Sequence, residues 1–159
     1  MVKILIIYDS RTGNTEKMAH KIAEGAMEIP EVKVEVKRVD DAKIEDLLNV
    51  DAIIMGSPTY YGQMSAKLKQ FIDESVKIHG KLEGKVGAAF TSSGGTATGA
   101  ETTLQSIINA MLIHGMIVQG NPHDKHYGAA AVESPNEEEI EKCKELGRRV
   151  AKLTLKIKH

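Results

Sequence analysis

The chain has 159 residues, a formal net charge of −1 and a single cysteine, Cys143. At this length one domain over residues 1–159 is expected, and the 42% hydrophobic and 27% charged fractions are ordinary for a globular protein. The interspersed charges exclude the strong basic bias of a nucleic-acid or anionic-membrane binder. One cysteine excludes an internal disulfide framework and any cysteine-based zinc site. The chain enters an apolar run, Val2 to Tyr8, too short for a secretory signal or a membrane span, so a cytoplasmic location is expected.

The predicted elements alternate between strand and helix. Ile4 to Ile7 is a continuous apolar run, the mark of a strand buried on both faces. Met18, Ala19, Ile22, Ala23, Ala26 and Met27 then recur at helical spacing. Val32, Val34 and Val36 alternate with Lys33, Glu35 and Lys37, which places the second strand at a sheet edge. A short helix is predicted around Ile44, Leu47 and Leu48, and a third strand over Ile53 to Met55. Leu68, Phe71 and Ile72 mark a third helix, Val86 to Phe90 a fourth strand, and Leu104 to Leu112 a fourth apolar stripe. Met116 to Val118 reads as strand five, and the last helix is expected to start with Ser134 as cap, Pro135 at its first position and Glu137 closing a capping box. Ile140, Cys143, Leu146, Val150 and Leu153 face its core, which makes Cys143 a packing residue. Five β-α units imply a three-layer α/β fold with a parallel, doubly wound sheet in the order 2-1-3-4-5. Its ligand crevice lies beyond the carboxyl ends of strands one, three and four.

Three loops fall at those ends. The first, Ser10-Arg11-Thr12-Gly13-Asn14-Thr15, sets three hydroxyls around one glycine where a helix begins. Free N–H groups at a helix start bind anions, and the same residues also suit a capping turn with Asn14 or Thr15 as the cap. Neither GxxxxGK[ST] nor GxGxxG occurs, so the cradle suits a terminal monophosphate. The second loop, Gly56-Ser57-Pro58-Thr59-Tyr60-Tyr61-Gly62-Gln63-Met64, carries two of the four tyrosines in a chain without tryptophan. Adjacent aromatics beside the switch point suggest a flat ring, with Met64 also within reach of it. The third loop, Thr91 to Gly99, is rich in glycine and hydroxyls and forms another wall of the crevice.

These residues resemble the flavodoxin superfamily and, more narrowly, the NAD(P)H:quinone oxidoreductases historically called tryptophan repressor-binding proteins. The likeness runs through Tyr8–Thr15, Gly56–Thr59, Gly62–Met64, Thr91–Gly95, Gly99–Leu104, His114-Gly115-Met116 and Tyr127-Gly128-Ala129. It implies a flavodoxin-like fold and an FMN cofactor, the phosphate held by Ser10, Thr12, Gly13, Asn14 and Thr15 with Arg11 among them. The flavin ring would lie between Pro58, Thr59, Tyr60, Tyr61 and Gly62 on one side and Thr91, Ser92, Ser93, Gly94 and Gly95 on the other. It further implies that His114 serves the nicotinamide or quinone, and that the protein is a homodimer or homotetramer. By position alone, His114 also fits the C-terminal dipole of the fourth helix. The segment before Tyr127 is shorter than in typical members.

The implied activity is transfer of two electrons from NAD(P)H through FMN to a quinone. The alternative is a flavodoxin-type carrier shuttling electrons between redox protein partners, and a third possibility is a flavin supplier or reductase. A net charge of −1 offers no strong steering field for a protein partner. Residues 58–66 and 91–100 contain no acid, which leaves a negatively charged reduced flavin unopposed, although Glu101 and Asp124 lie further off.

Overall fold

In the computed structural model, which describes residues 1–159, the first apolar run is strand β1 (Val2–Tyr8). Successive side chains of a strand point to opposite faces. Ile4, Ile6 and Tyr8 therefore enter one core, with helices α1 (Asn14–Met27) and α4 (Glu137–Lys158). Leu5 and Ile7 enter a second, with α2 (Ala66–Glu74) and α3 (Ala100–Ile113). That is why β1 carries no polar alternation. The edge strand β2 (Val32–Arg38) packs its half-buried valines against the first core, and the parallel sheet continues through β3 (Ala52–Pro58) and β4 (Val86–Ser93). The order is β2-β1-β3-β4-β5, as the alternation of elements predicts.

Four details differ from the sequence-based expectations. The fifth strand is split: β5 (Ile117–Val118) pairs with Val86 and Gly87, and β6 (Ala129–Val132) pairs with Phe90 to Ser93. Between them runs residues 119–128, a polar stretch containing Pro122 that has neither the side chains nor the donors for a buried strand. The expected second helix is a 3₁₀ turn, Ile44–Asn49. Helix α4 is capped by Asn136, which accepts the Glu139 N–H at 2.8 Å while the Glu139 carboxylate accepts the Asn136 N–H at 3.0 Å. Glu139 also accepts the Val132 N–H at 2.9 Å, and this tie to β6 sets the cap two residues beyond Ser134. Met27 and Leu112, expected on core stripes, are exposed, and Met64, expected at the crevice, is buried in the second core. Cys143 is wholly buried as expected, and burial pushes its thiol up to about 12. No helix is long and apolar enough to cross a membrane.

Helices α1 and α4 meet backbone to backbone. A Cβ on Gly25 would overlap the Lys144 carbonyl, and one on Gly147 would overlap the Ile22 carbonyl and lie 2.7 Å from the Ala26 nitrogen. Glycine to alanine in a helix interior ordinarily stabilises by about 1 kcal/mol. Here overpacking reverses the sign: Gly147→Ala is expected to cost roughly 1–3 kcal/mol, read as a lower urea midpoint.

Candidate functional site

The carboxyl ends of β1, β3 and β4 lie side by side, with Tyr8 opposite Gly56 and Pro58 opposite Ser92. Helix α1 starts directly above them. Its cap is Gly13, at φ 95° and without a side-chain cap bond, not Asn14 or Thr15. The Ser10 hydroxyl accepts the Gly13 N–H at 3.2 Å, which shapes the turn and leaves the hydroxyl's own hydrogen free to donate. The N–H groups of Thr12, Asn14, Thr15 and Glu16 find no acceptor in the protein. A helix N-terminus leaves such donors open and adds a positive dipole end, a combination suited to a phosphate dianion.

A cavity of about 200 Å³ opens onto Thr12, Asn14 and Thr15 of this set. It gathers Arg11, Thr12, Asn14 and Thr15 from the first loop, Pro58 to Tyr60 from the second and Ser92 to Gly94 from the third. Hydroxyl pairs fasten the walls together. Thr15 Oγ1 meets Ser92 Oγ at 2.7 Å, joining the first loop to β4. Thr91 Oγ1 donates to the Ser57 carbonyl at 2.7 Å, so in its 2.8 Å contact with Thr59 Oγ1 it is the acceptor. Thr91 is therefore a staple between β3 and β4 with no exposed surface, rather than part of the cavity wall.

The two tyrosines separate. Tyr60 and Gln63 exchange backbone hydrogen bonds at 3.0 Å around a tight turn, with Tyr61 at φ 51° and Gly62 at φ 75°. Tyr60 lines the cavity with the Arg11 guanidinium 5.0 Å from its ring centroid, whereas Tyr61 is fully exposed at the turn's tip. The turn presses on the third loop at Gly99 (φ 108°), where a Cβ would lie 2.7 Å from the Gly62 Cα. Gly95 lines a neighbouring cavity of about 480 Å³ together with Glu101, Lys125, His126 and Tyr127. His126 Nδ1 lies 2.6 Å from the Asn121 carbonyl and must donate to it, leaving Nε2 as the acceptor in the neutral ring.

The sequence reading missed Glu133. It sits just past β6 at φ 54°, donates its N–H to the Ser93 carbonyl at 2.7 Å and lines the smaller cavity. Its only signal was a position after a strand that had not been recognised.

His114 is not brought to these loops within one chain. Helix α3 begins at Ala100, beside the third loop, and His114 follows its last residue, which at about 1.5 Å rise per residue is the opposite end of the sheet. There its Nε2 lies 2.7 Å from Ser75 Oγ. The Ser75 hydroxyl donates its one hydrogen to the Ile72 carbonyl, so His114 Nε2–H is the donor and Nδ1 holds a buried lone pair without a partner. Burial, and then the neighbouring His79, holds this ring below the usual histidine value of 6.5.

The chain matches the flavodoxin domain over residues 5–127. It is 43% identical to a flavodoxin of Aquifex aeolicus, over 95% of this chain and 86% of that protein. It is 38% identical to an NAD(P)H dehydrogenase (quinone) of Archaeoglobus fulgidus, over 99% and 100% respectively. Among solved structures it resembles a flavodoxin, WrbA-like protein from Agrobacterium tumefaciens, with a TM-score of 0.83, 28% identity and coverage of 98% and 99%. A parallel sheet in this order, with the open donors of a helix start at its switch point, defines a doubly wound α/β domain, and the chain belongs to the flavodoxin family.

The depressed His114 value carries a pH prediction. The folded chain binds fewer protons at this ring than the unfolded chain, so its stability contribution is complete above pH about 6.5 and is lost as pH falls through the window below. The urea midpoint of wild type is expected to drop more between pH 7.5 and 5 than that of His114→Gln. Equal drops would remove His114 from the account.

Proposed function

We propose that this chain binds FMN in the crevice and passes two electrons from NAD(P)H to a quinone. The observation that carries the proposal is the set of open N–H donors of Thr12, Asn14 and Thr15 at a cavity walled by all three switch-point loops. The N–H groups of Thr12, Asn14 and Thr15 hold the phosphate, joined by the Ser10 and Thr12 hydroxyls. Arg11 offsets the phosphate charge, and Gly13 sets the turn. Pro58, Thr59 and Tyr60 bound the ring on one side, and Ser92, Ser93 and Gly94 on the other. Tyr61, Gly62 and Gly95 shape the approach, and Thr91 braces it from behind. When bound, FMN supplies a ring that takes up and returns electrons, while the protein contributes position and electrostatics.

The adjoining cavity of about 480 Å³ gives the nicotinamide or quinone a place beside the flavin. His126 Nε2, as acceptor, orients a hydroxyl or amide there, and Lys125 supplies a positive charge. The Archaeoglobus relative, named an NAD(P)H dehydrogenase (quinone), supports this activity.

One observation favours a second reading, an electron carrier between proteins. Glu133 is among the residues lining the smaller cavity, and a carboxylate beside the flavin disfavours added negative charge there. The Aquifex relative is named a flavodoxin. Arg11, in the same cavity, works in the opposite direction.

Anaerobic mixing of the FMN-loaded protein with NADH or NADPH separates the two. Rapid bleaching of the yellow absorbance, reversed by benzoquinone, is the expected result. No bleaching by either nucleotide, with dithionite reducing the flavin in two resolved one-electron steps, establishes the carrier. The Thr12→Ala variant is expected to weaken FMN about tenfold or more, since the charge-assisted hydrogen bond of its hydroxyl contributes roughly 1.5–3 kcal/mol. An unchanged affinity would overturn the phosphate assignment.

A further inference from the structure

The loop from Ser10 to Gly13 is held almost entirely by its own β-α unit. One hydrogen bond reaches its backbone from outside that unit: Arg38 Nη1, on the edge strand, donates to the Ser10 carbonyl at 2.7 Å. Arg38 ends β2 directly opposite Tyr8, the residue that ends β1. Its guanidinium lies 5.4 Å from the Tyr8 ring centroid, and its Nη2 lies 3.8 Å from Glu16 Oε2. The Tyr8 hydroxyl donates to that same Glu16 oxygen at 2.6 Å. Burial and the Glu16 carboxylate push the Tyr8 hydroxyl up to about 12, so it remains a donor at any physiological pH.

Glu16 occupies the first turn of α1, where the open N–H groups are. A carboxylate there competes with a phosphate for the positive helix end, and it repels the phosphate if left unpaired. Arg38 acts against both effects. It holds the Ser10 carbonyl in a hydrogen bond and, together with Tyr8, engages the Glu16 carboxylate, and neither Arg38 nor Glu16 lines the cavity.

We propose that Arg38 is a positioning residue for the phosphate of the flavin nucleotide, clamping the Ser10 carbonyl and neutralising Glu16 while making no contact with the flavin ring. The proposal rests on the FMN assignment above. It predicts an effect confined to the phosphate, which a general loss of folding would not produce. The planar guanidinium can serve the Ser10 carbonyl and Glu16 at once, whereas a lysine ammonium on a flexible stem does not present that fork.

The test is flavin-fluorescence titration of wild type, Arg38→Ala, Arg38→Lys and Arg38→Ala/Glu16→Gln with FMN and with riboflavin, each protein first checked by thermal melting. Arg38→Ala is expected to raise the Kd for FMN about tenfold or more, and to leave that for riboflavin within about twofold, below the effect of one lost hydrogen bond. Arg38→Lys is expected to recover only part of the loss, and adding Glu16→Gln to Arg38→Ala to restore another part. Unchanged FMN affinity in Arg38→Ala, or equal losses for FMN and riboflavin, would overturn the proposal. If Arg38→Ala does not fold, full FMN affinity in Arg38→Lys would overturn it, and a loss for FMN alone would uphold it. A wild-type protein that binds the two flavins equally, or neither, would overturn the FMN assignment itself.

Discussion

A helix cannot begin without leaving its first N–H groups short of acceptors, and the working edge of this molecule is arranged around that constraint. Helix α1 starts where β1 ends, with glycine in the place where a capping side chain would otherwise bond the open donors. The buried hydroxyls of Ser10, Thr15 and Ser92 surround that point, and the turn at Tyr60–Gln63 and the end of β4 close around it. The doubly wound sheet explains why these parts meet. Parallel strands bring all their βα loops to one edge, and the reversal of winding between β1 and β3 leaves a gap for a ligand.

Much of this was legible in the residues because burial on two faces leaves a strong signal. β1, β3 and β4 are apolar without alternation, β2 alternates, and the helices repeat at 3.6, so the layers and the strand order follow. The place of the first loop at the crevice was legible because it stands between a strand buried on both faces and the start of a helix. What was not legible depends on contacts between elements distant in sequence. Thr91 looks like any loop threonine until the Ser57 carbonyl and Thr59 are seen beside it. Strand β6 is four residues of Ala-Ala-Ala-Val, with no pattern of its own, and it exists because β4 offers a free edge beyond β5.

His114 shows what a single chain leaves open. The resemblance implies a role for it at the nicotinamide or quinone, and within one chain the length of α3 carries it to the far end of the sheet, hydrogen-bonded to Ser75 and near His79. Arg38 shows the converse. It closes a plain alternating edge strand, and its place beside Ser10 appears only once β1 and β2 are paired in register.

The most direct test of the account is an amide NMR titration of the flavin-free protein, following the N–H signals of Thr12, Asn14 and Thr15. With FMN these signals should move strongly downfield, as charge-assisted hydrogen bonds to a phosphate require, and with riboflavin they should stay near their starting positions. Equal shifts with the two flavins, or FMN binding that leaves these amides unmoved, would contradict the claim that the start of α1 holds the phosphate.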